Sequence, residues 1–392
     1  MNNITGLRNG RTRKLPRQES SAMRSGRVAR GALNLVVLLL SLSVFLGIGE
    51  LIARAIYPEF ADQFHSRQLT AGKRIHRGEV FGLKTRLPAA NAKIEPSAGT
   101  PVTIVVGDSV AIGYGLSYYD TFWAVWQRYF QIQGKPDRVI ALSGYGNNFM
   151  DNIDSIVHAV NVFRDHGLQV DRVIYQFNYN DLLPSTQADL QEWGKRKRVW
   201  EWLRHGSWIA TLRHRLLNYS VFLRVLSIKG AALFRTDSTS CADLGRSAMG
   251  GYSHAFVAKG MEEEGERSWQ AFEKNVETLV DNLNGVPFGI LISPISPFVH
   301  PELPEHHVAL PTRMDCATVD PVQRLHALSS SLGFPICDPA PYLSDAFRHY
   351  RDEGNPKVLF HENDENHPNE MGSLLIGEYC YQRLFVQGQE RE

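Results

Sequence analysis

Four short runs rich in β-branched residues, "PVTIVV" (101–106), "DRVIAL" (137–142), "DRVIYQF" (171–177) and "PFGILI" (287–292), place the tightest limits on how this chain can fold. Each is bounded by polar, glycine or proline residues and lacks the strict alternation of a strand with one wet face. Strands of that kind are buried on both sides, as in parallel sheets whose crossovers lay helices over each face. The intervening sequence supplies such helices. "DTFWAVWQRYFQIQG" and "FMDNIDSIVHAVNVFRDHG" carry apolar residues at helical spacing and stop at Gly134 and Gly167. A fifth strand is expected at "FPICD" (334–338), after the helix-like "PVQRLHALSSSLG". The expectation is an α/β domain over residues 101–385 in three layers, helix, sheet and helix, around a five-stranded parallel sheet.

The segment 185–260 breaks this rhythm. It interleaves basic residues with Trp, Leu and Phe in "GKRKRVWEWLRHGSWIATLRHRLLNYSVFLRVLSIKG". It reads as inserted surface helices, or alternatively as an amphipathic lid lying on a membrane surface.

Upstream, Arg8, Arg11, Arg13, Lys14, Arg17, Arg24, Arg27 and Arg30 crowd the first thirty residues against a single acid, Glu19. From Gly31 to Gly49 there is no charge, and Leu and Val dominate. A membrane helix needs about 20 mostly apolar residues, which residues 31–57 supply. Residues 1–30 are then expected to be a basic cytoplasmic tail by the positive-inside bias. Residues 31–57 would be an anchor in the cytoplasmic (inner) membrane, and residues 58–100 a stalk packing partly on a periplasmic or extracellular domain. Glu50 and Arg54, one turn apart, are placed to pair. The competing reading is a cleaved signal peptide, since Ala53-Arg54-Ala55 follows the apolar run as an A-x-A-like site. Either reading exports the main domain. The formal net charge of +1 over 392 residues gives no basis for a nucleic-acid partner.

The four cysteines, Cys241, Cys316, Cys337 and Cys380, lie in no C-x-x-C pattern, so a zinc site is not expected. An exported compartment permits disulfides. Cys316 with Cys337 is one expected pair, and four free buried thiols are the alternative. His361 and the pair His306-His307 are read as solvent-exposed histidines rather than metal ligands.

In a doubly wound sheet, reacting groups collect at the carboxyl ends of the strands. Ser109 stands there, in "TIVVGDSVAIGYG". Near the other end of the chain, "HENDENHPNEMG" offers His367 as a base and Asp364, three residues earlier, to orient it. The middle strands end in "LSGYGNN" and "FNYNDLL", where a backbone N–H at Gly144 and the side-chain amide of Asn180 can donate to an oxyanion. Taken singly, each of these is an ordinary turn residue. Together they fall at sheet ends, in an order that can converge on one cleft.

The combination "VVGDSVAIGYG", "LSGYGNN", "FNYNDL" and "DENHPNEMG" resembles the SGNH hydrolases, also called the GDSL esterase/lipase family. The resemblance covers roughly residues 101–385 without the insert. It implies a flavodoxin-like fold, with Ser109 as nucleophile, His367 as base and Asp364 orienting it. Ser109 N–H, Gly144 N–H and the Asn180 amide would form the oxyanion hole, and no cofactor is implied. One residue departs from the family pattern: Asn178 stands where glycine is usual. The implied activity is that of a membrane-anchored serine esterase removing O-acetyl or similar acyl groups from cell-envelope or secreted polysaccharide. The same constellation serves an O-acetyltransferase, and the basic insert would suit a lipase or lysophospholipase acting on an acylated lipid. A non-catalytic carbohydrate-binding or scaffold module is the reading from another class.

Overall fold

The computed structural model describes residues 21–56, 77–88, 93–143, 149–182, 220, 222–223, 255–257, 260, 262–300, 318–354, 359–361 and 366–386. The first described element is a helix, α1 (Ser21–Ile56). Its stretch Val36–Ala55 has a mean hydropathy of 2.4 over 20 residues, and among the described residues it is the one helix long and apolar enough to cross a membrane. A two-stranded antiparallel hairpin follows, β1 (Arg77–Val80) and β2 (Leu83–Arg86).

The domain then alternates strand and helix: β3 (Pro101–Gly107), α2 (Phe122–Ile132), β4 (Arg138–Ser143), α3 (Phe149–Asp165) and β5 (Gln169–Phe177). After the insert come α4 (Glu262–Asn282), β6 (Phe288–Ile292), α5 (Pro321–Leu332), β7 (Ile336–Cys337), α6 (Ala340–Asp352) and α7 (Glu370–Tyr381). The strands form one parallel five-stranded sheet in the order β4-β3-β5-β6-β7. This is the doubly wound order whose direction of winding reverses beside the first strand, so the chain leaves β3 and β5 in opposite directions and a crevice opens between their carboxyl ends. The expected fifth strand is present, shortened to its two paired residues.

The alternation of side chains along β3 divides the core in two. Val102, Ile104 and Val106 join the layer that holds Phe149, Phe163, Trp269 and Phe272, from α3 and α4. Val105 joins the opposite layer, with Trp123, Trp126, Phe347 and Tyr381. Successive strand residues point to opposite faces, which is why a continuous apolar run was needed. Helix boundaries follow local chemistry. Thr121 caps α2 by accepting from the Ala124 amide, and Asp320 caps α5 by accepting from Val322 and Gln323. Gly333 ends α5 in the left-handed conformation at φ 73°.

The cysteines pair differently from expectation. Cys337 on β7 is bonded to Cys380 on α7, 43 residues on, and not to Cys316. Four cysteines allow three pairings, and spacing alone does not choose among them; folding brings α7 onto the end of the sheet at β7. Cys241 and Cys316 lie outside the described residues, as do His306 and His307.

Residues 77–86 sit against the domain. The Thr85 hydroxyl donates to Ala141 O on β4 at 2.7 Å. The insert touches α1 at the few positions described. Ser220 Oγ donates to Glu50 at 2.8 Å, and the Phe222 amide donates to the same carboxylate oxygen at 3.1 Å. The Phe222 ring lies over Gly49, where a Cβ would come within 3.0 Å of it. The expected pair of Glu50 with Arg54 forms at 2.8 Å.

Candidate active site

Strand β3 delivers its last residue, Gly107, into a crowded position. A Cβ there would stand 2.4 Å from Gln176 Oε1 and 2.9 Å from the Ala111 methyl, so only glycine fits. The Gln176 side chain on β5 is close for a reason: its Oε1 accepts from the amides of Asp108 and Ala111, both at 3.2 Å. The chain then closes tight turns, with the Ile112 amide donating to Asp108 O and the Tyr114 amide to Ser109 O at 3.0 Å. Ser109 projects from this turn half-buried. Among the described residues its own amide finds no protein acceptor, which leaves that N–H available to an incoming anion.

The imidazole arrives from the far end of the sequence. His367 Nε2 lies 2.7 Å from Ser109 Oγ, across 258 positions of chain. The His367 loop is tied down by a short antiparallel contact with residues 359–361. The His361 amide donates to His367 O at 3.0 Å, and the Asn369 amide donates to Leu359 O at 3.1 Å. Asn369 also caps α7, accepting from the Gly372 amide. The Tyr114 ring packs on the imidazole, centroids 4.8 Å apart. His361 is half-buried against this loop rather than solvent-exposed; its backbone pairing with His367 holds it there.

Asp108 lies beneath the serine with 3% of its surface exposed. One carboxylate oxygen accepts from the Val110 amide at 2.8 Å, and the other accepts from Asn178 Nδ2 at 2.9 Å. Asn178, the residue that departs from the pattern of the resembled family, thus joins the third sheet-end block to the Ser109 turn through a buried bond. Its own amide donates to Asp181, which also receives the Tyr175 hydroxyl. Those anchors hold a turn in which Tyr179 is buried and Asn180 is exposed at the corner.

Arg86 was invisible as a site residue in the sequence. It is buried, and its guanidinium donates to the carbonyls of Ile112, Gly113 and Leu116, all in the loop that follows Ser109. The structure therefore brings Ser109 and His367 together and describes Asn180 at the end of β5. Gly144 and Asp364 lie outside the described residues. Among the described residues no cluster of three or more His, Cys, Asp or Glu is arranged to hold a metal ion.

No protein-family model matches the chain, and no curated relative does. Solved structures do. An α/β hydrolase from the metagenome of Lake Arreo, Spain, is similar at 14% identity and a TM-score of 0.38, over 74% of this chain and 96% of its own. The acetyl xylan esterase AlAXEase is similar at 12% identity and a TM-score of 0.37, over 72% and 98%. A lipase/acylhydrolase from Enterococcus faecalis is similar at 11% and 0.37, over 72% and 94%. At such scores these are likenesses only, and the chemistry below is read from the site's own geometry.

Proposed function

We propose that the chain is a membrane-anchored serine esterase of the SGNH type, working through an acyl-enzyme on Ser109. The observation that carries this reading is the 2.7 Å contact of His367 Nε2 with Ser109 Oγ at the carboxyl end of the central strand. Nucleophile and base within hydrogen-bond reach are the signature of an activated serine. Neutral His367 takes the hydroxyl proton as Oγ attacks the ester carbonyl. The oxyanion receives donors from the Ser109 amide and the Asn180 side chain, with Gly144 as the third. Collapse of the tetrahedral intermediate releases the alcohol, which leaves with the proton from His367. Water, deprotonated by the same imidazole, then attacks the acyl-enzyme and frees the acid and Oγ. Asp364 is assigned to orient the imidazole and to balance its charge.

Retention of α1 is supported by its contacts. Cleavage after Ala55 would remove Glu50 and Gly49, and with them the partners of Ser220 and Phe222. The main domain is accordingly assigned to the outer side of the cytoplasmic membrane, with an O-acetylated polysaccharide as substrate.

The test is direct. Wild-type protein should hydrolyse p-nitrophenyl acetate and take a fluorophosphonate label, and Ser109→Ala should do neither. Equal labelling of the two proteins would remove Ser109 from the chemistry. Supplying an unacetylated acceptor glycan in the same assay separates hydrolysis from acyl transfer to a sugar hydroxyl.

A further inference from the structure

A cavity of about 240 Å³ lies at the β4 edge of the sheet, between the β1–β2 hairpin on one side and the 3₁₀ turn Tyr118–Asp120 and α2 on the other. At about 30 Å³ of liquid per water, that is the space of roughly eight waters, enough for one sugar residue. The charged side chains lining it are Arg86, Arg128 and Arg138, with no carboxylate among the described lining residues. Arg86 is committed to the carbonyls of the serine loop. Arg128 and Arg138 are exposed. Arg128 donates through one nitrogen to Tyr119 O at 2.6 Å, which fixes the side chain and leaves other donors of its planar fork open. Arg138 has no ion-pair partner among the described residues. A guanidinium fork matches carboxylate and phosphate oxygens in pairs. An anion brought between two such groups is held more firmly than by either alone.

The cavity also presents aromatic surface. Tyr118 and Tyr119 pack edge to face with centroids 5.2 Å apart, and Tyr119 is 62% exposed. A large rigid ring with a wet hydroxyl supplies apolar area at little entropic cost, which suits the C–H face of a sugar. Both tyrosines belong to the loop that starts at the nucleophile. Only nine and ten residues separate them from Ser109, and the path is shortened by reverse turns at Ser109–Tyr114, Gly113–Leu116 and Ser117–Asp120. Tyr114, between them, covers His367.

We infer that this cavity is a subsite for an acidic sugar unit, a uronate or a sugar phosphate, gripped by Arg128 and Arg138 with its ring on Tyr118 and Tyr119. Arg138 is level with Val102 at the amino end of β3, so at about 3.3 Å per residue only an acidic glycan several units long could be seated there and still reach Ser109. The inference rests on the proposed esterase in one respect: it names that enzyme's substrate as an acidic polysaccharide rather than a small or neutral ester.

Binding is measured by calorimetric titration of the full chain in detergent, carrying Ser109→Ala so that nothing is turned over. The ligands are oligogalacturonate, glucose 1-phosphate, a neutral xylo-oligosaccharide and inorganic phosphate. Either acidic sugar should bind, more weakly as salt is raised, while the neutral oligosaccharide and inorganic phosphate should not. Arg138→Glu should weaken that binding at least tenfold. Tyr119→Ala, which removes a surface ring, should weaken it severalfold without loss of thermal stability. Equal binding of the neutral oligosaccharide, binding of inorganic phosphate alone, or an unchanged affinity in Arg138→Glu would each overturn the assignment. Fluorophosphonate labelling of the wild type is scored separately. Labelling without sugar binding sinks the subsite alone, and sugar binding without labelling sinks the esterase and leaves the subsite standing.

Discussion

Burial pushes the Asp108 carboxyl above the ordinary carboxylate range, against the opposing pull of the Val110 amide, His367 and Asn178. The sign of its effect on stability follows. An acid whose pKa is raised by folding stabilises the fold while it is protonated, and that contribution is lost as pH rises through the folded value. In Asp108→Asn the amide oxygen still accepts from the Val110 amide, and Asn178 can turn its own oxygen toward the new NH₂ group. The variant's melting temperature should therefore gain on the wild type as pH is raised from about 4 toward neutrality, read by calorimetry across a pH series. A constant difference across that range would contradict the raised carboxyl. The meeting of Ser109 and His367 could be expected from sequence because their motifs are built from residue types that the proposed chemistry needs. Asp108, Gln176 and Asn178 could not. Their partners are backbone amides and one another, up to 70 positions apart, and no spacing rule marks such bonds.

The hairpin β1–β2 looks like a minor appendage, yet its last residue, Arg86, reaches into the loop that carries Ser109. Its three bonds satisfy buried carbonyls that have no strand or helix to serve them. Removing one partner of a buried hydrogen bond costs about 1–3 kcal/mol. Arg86→Met, which keeps much of the side-chain volume, should therefore destabilise the domain by several times the effect of an ordinary surface substitution. Turnover of p-nitrophenyl acetate should fall with it, since the peptide around Ser109 loses its support. A variant that melts like wild type and turns over at the wild-type rate would show that the loop holds itself. The major strands and helices were legible, because a strand covered on both faces has to be apolar throughout and the helices had to cover it. Two four-residue strands carry too little pattern to read, and an arginine aimed at carbonyls is indistinguishable in sequence from a solvated one.

Across the whole molecule, two ties join parts that the sequence keeps separate. One is the seat of Ser220 and Phe222 on α1. Gly49→Leu should push the Phe222 ring away, and Glu50→Ala should remove the acceptor of Ser220 and Phe222. Both variants should increase proteolytic nicking within residues 185–260, while Leu38→Ala, on an exposed face of the same helix, should not. Equal nicking in all three would mean the contact holds nothing in place. The other tie is the cystine. In the chain-entropy account, a crosslink closing a loop of 43 residues stabilises by about 4 kcal/mol, so Cys337→Ala/Cys380→Ala should lower the melting temperature markedly. Even cysteine counts said that bonds were allowed, but the partner of Cys337 was set by which helix folds back over the sheet end, a matter of topology. That bond has a further consequence. Helix α7 begins three residues after His367, and its free end is stitched to β7 through Cys380. Reducing surroundings such as cytosol keep thiols unpaired, so a copy stranded there would lose the link to β7 and hold the helix that follows His367 by its packing on α2 and the bond from Trp126 Nε1 to Gly377 O. The proposed esterase would thereby be sturdier after delivery to an oxidising space, with the safeguard placed in the helix that directly follows the imidazole.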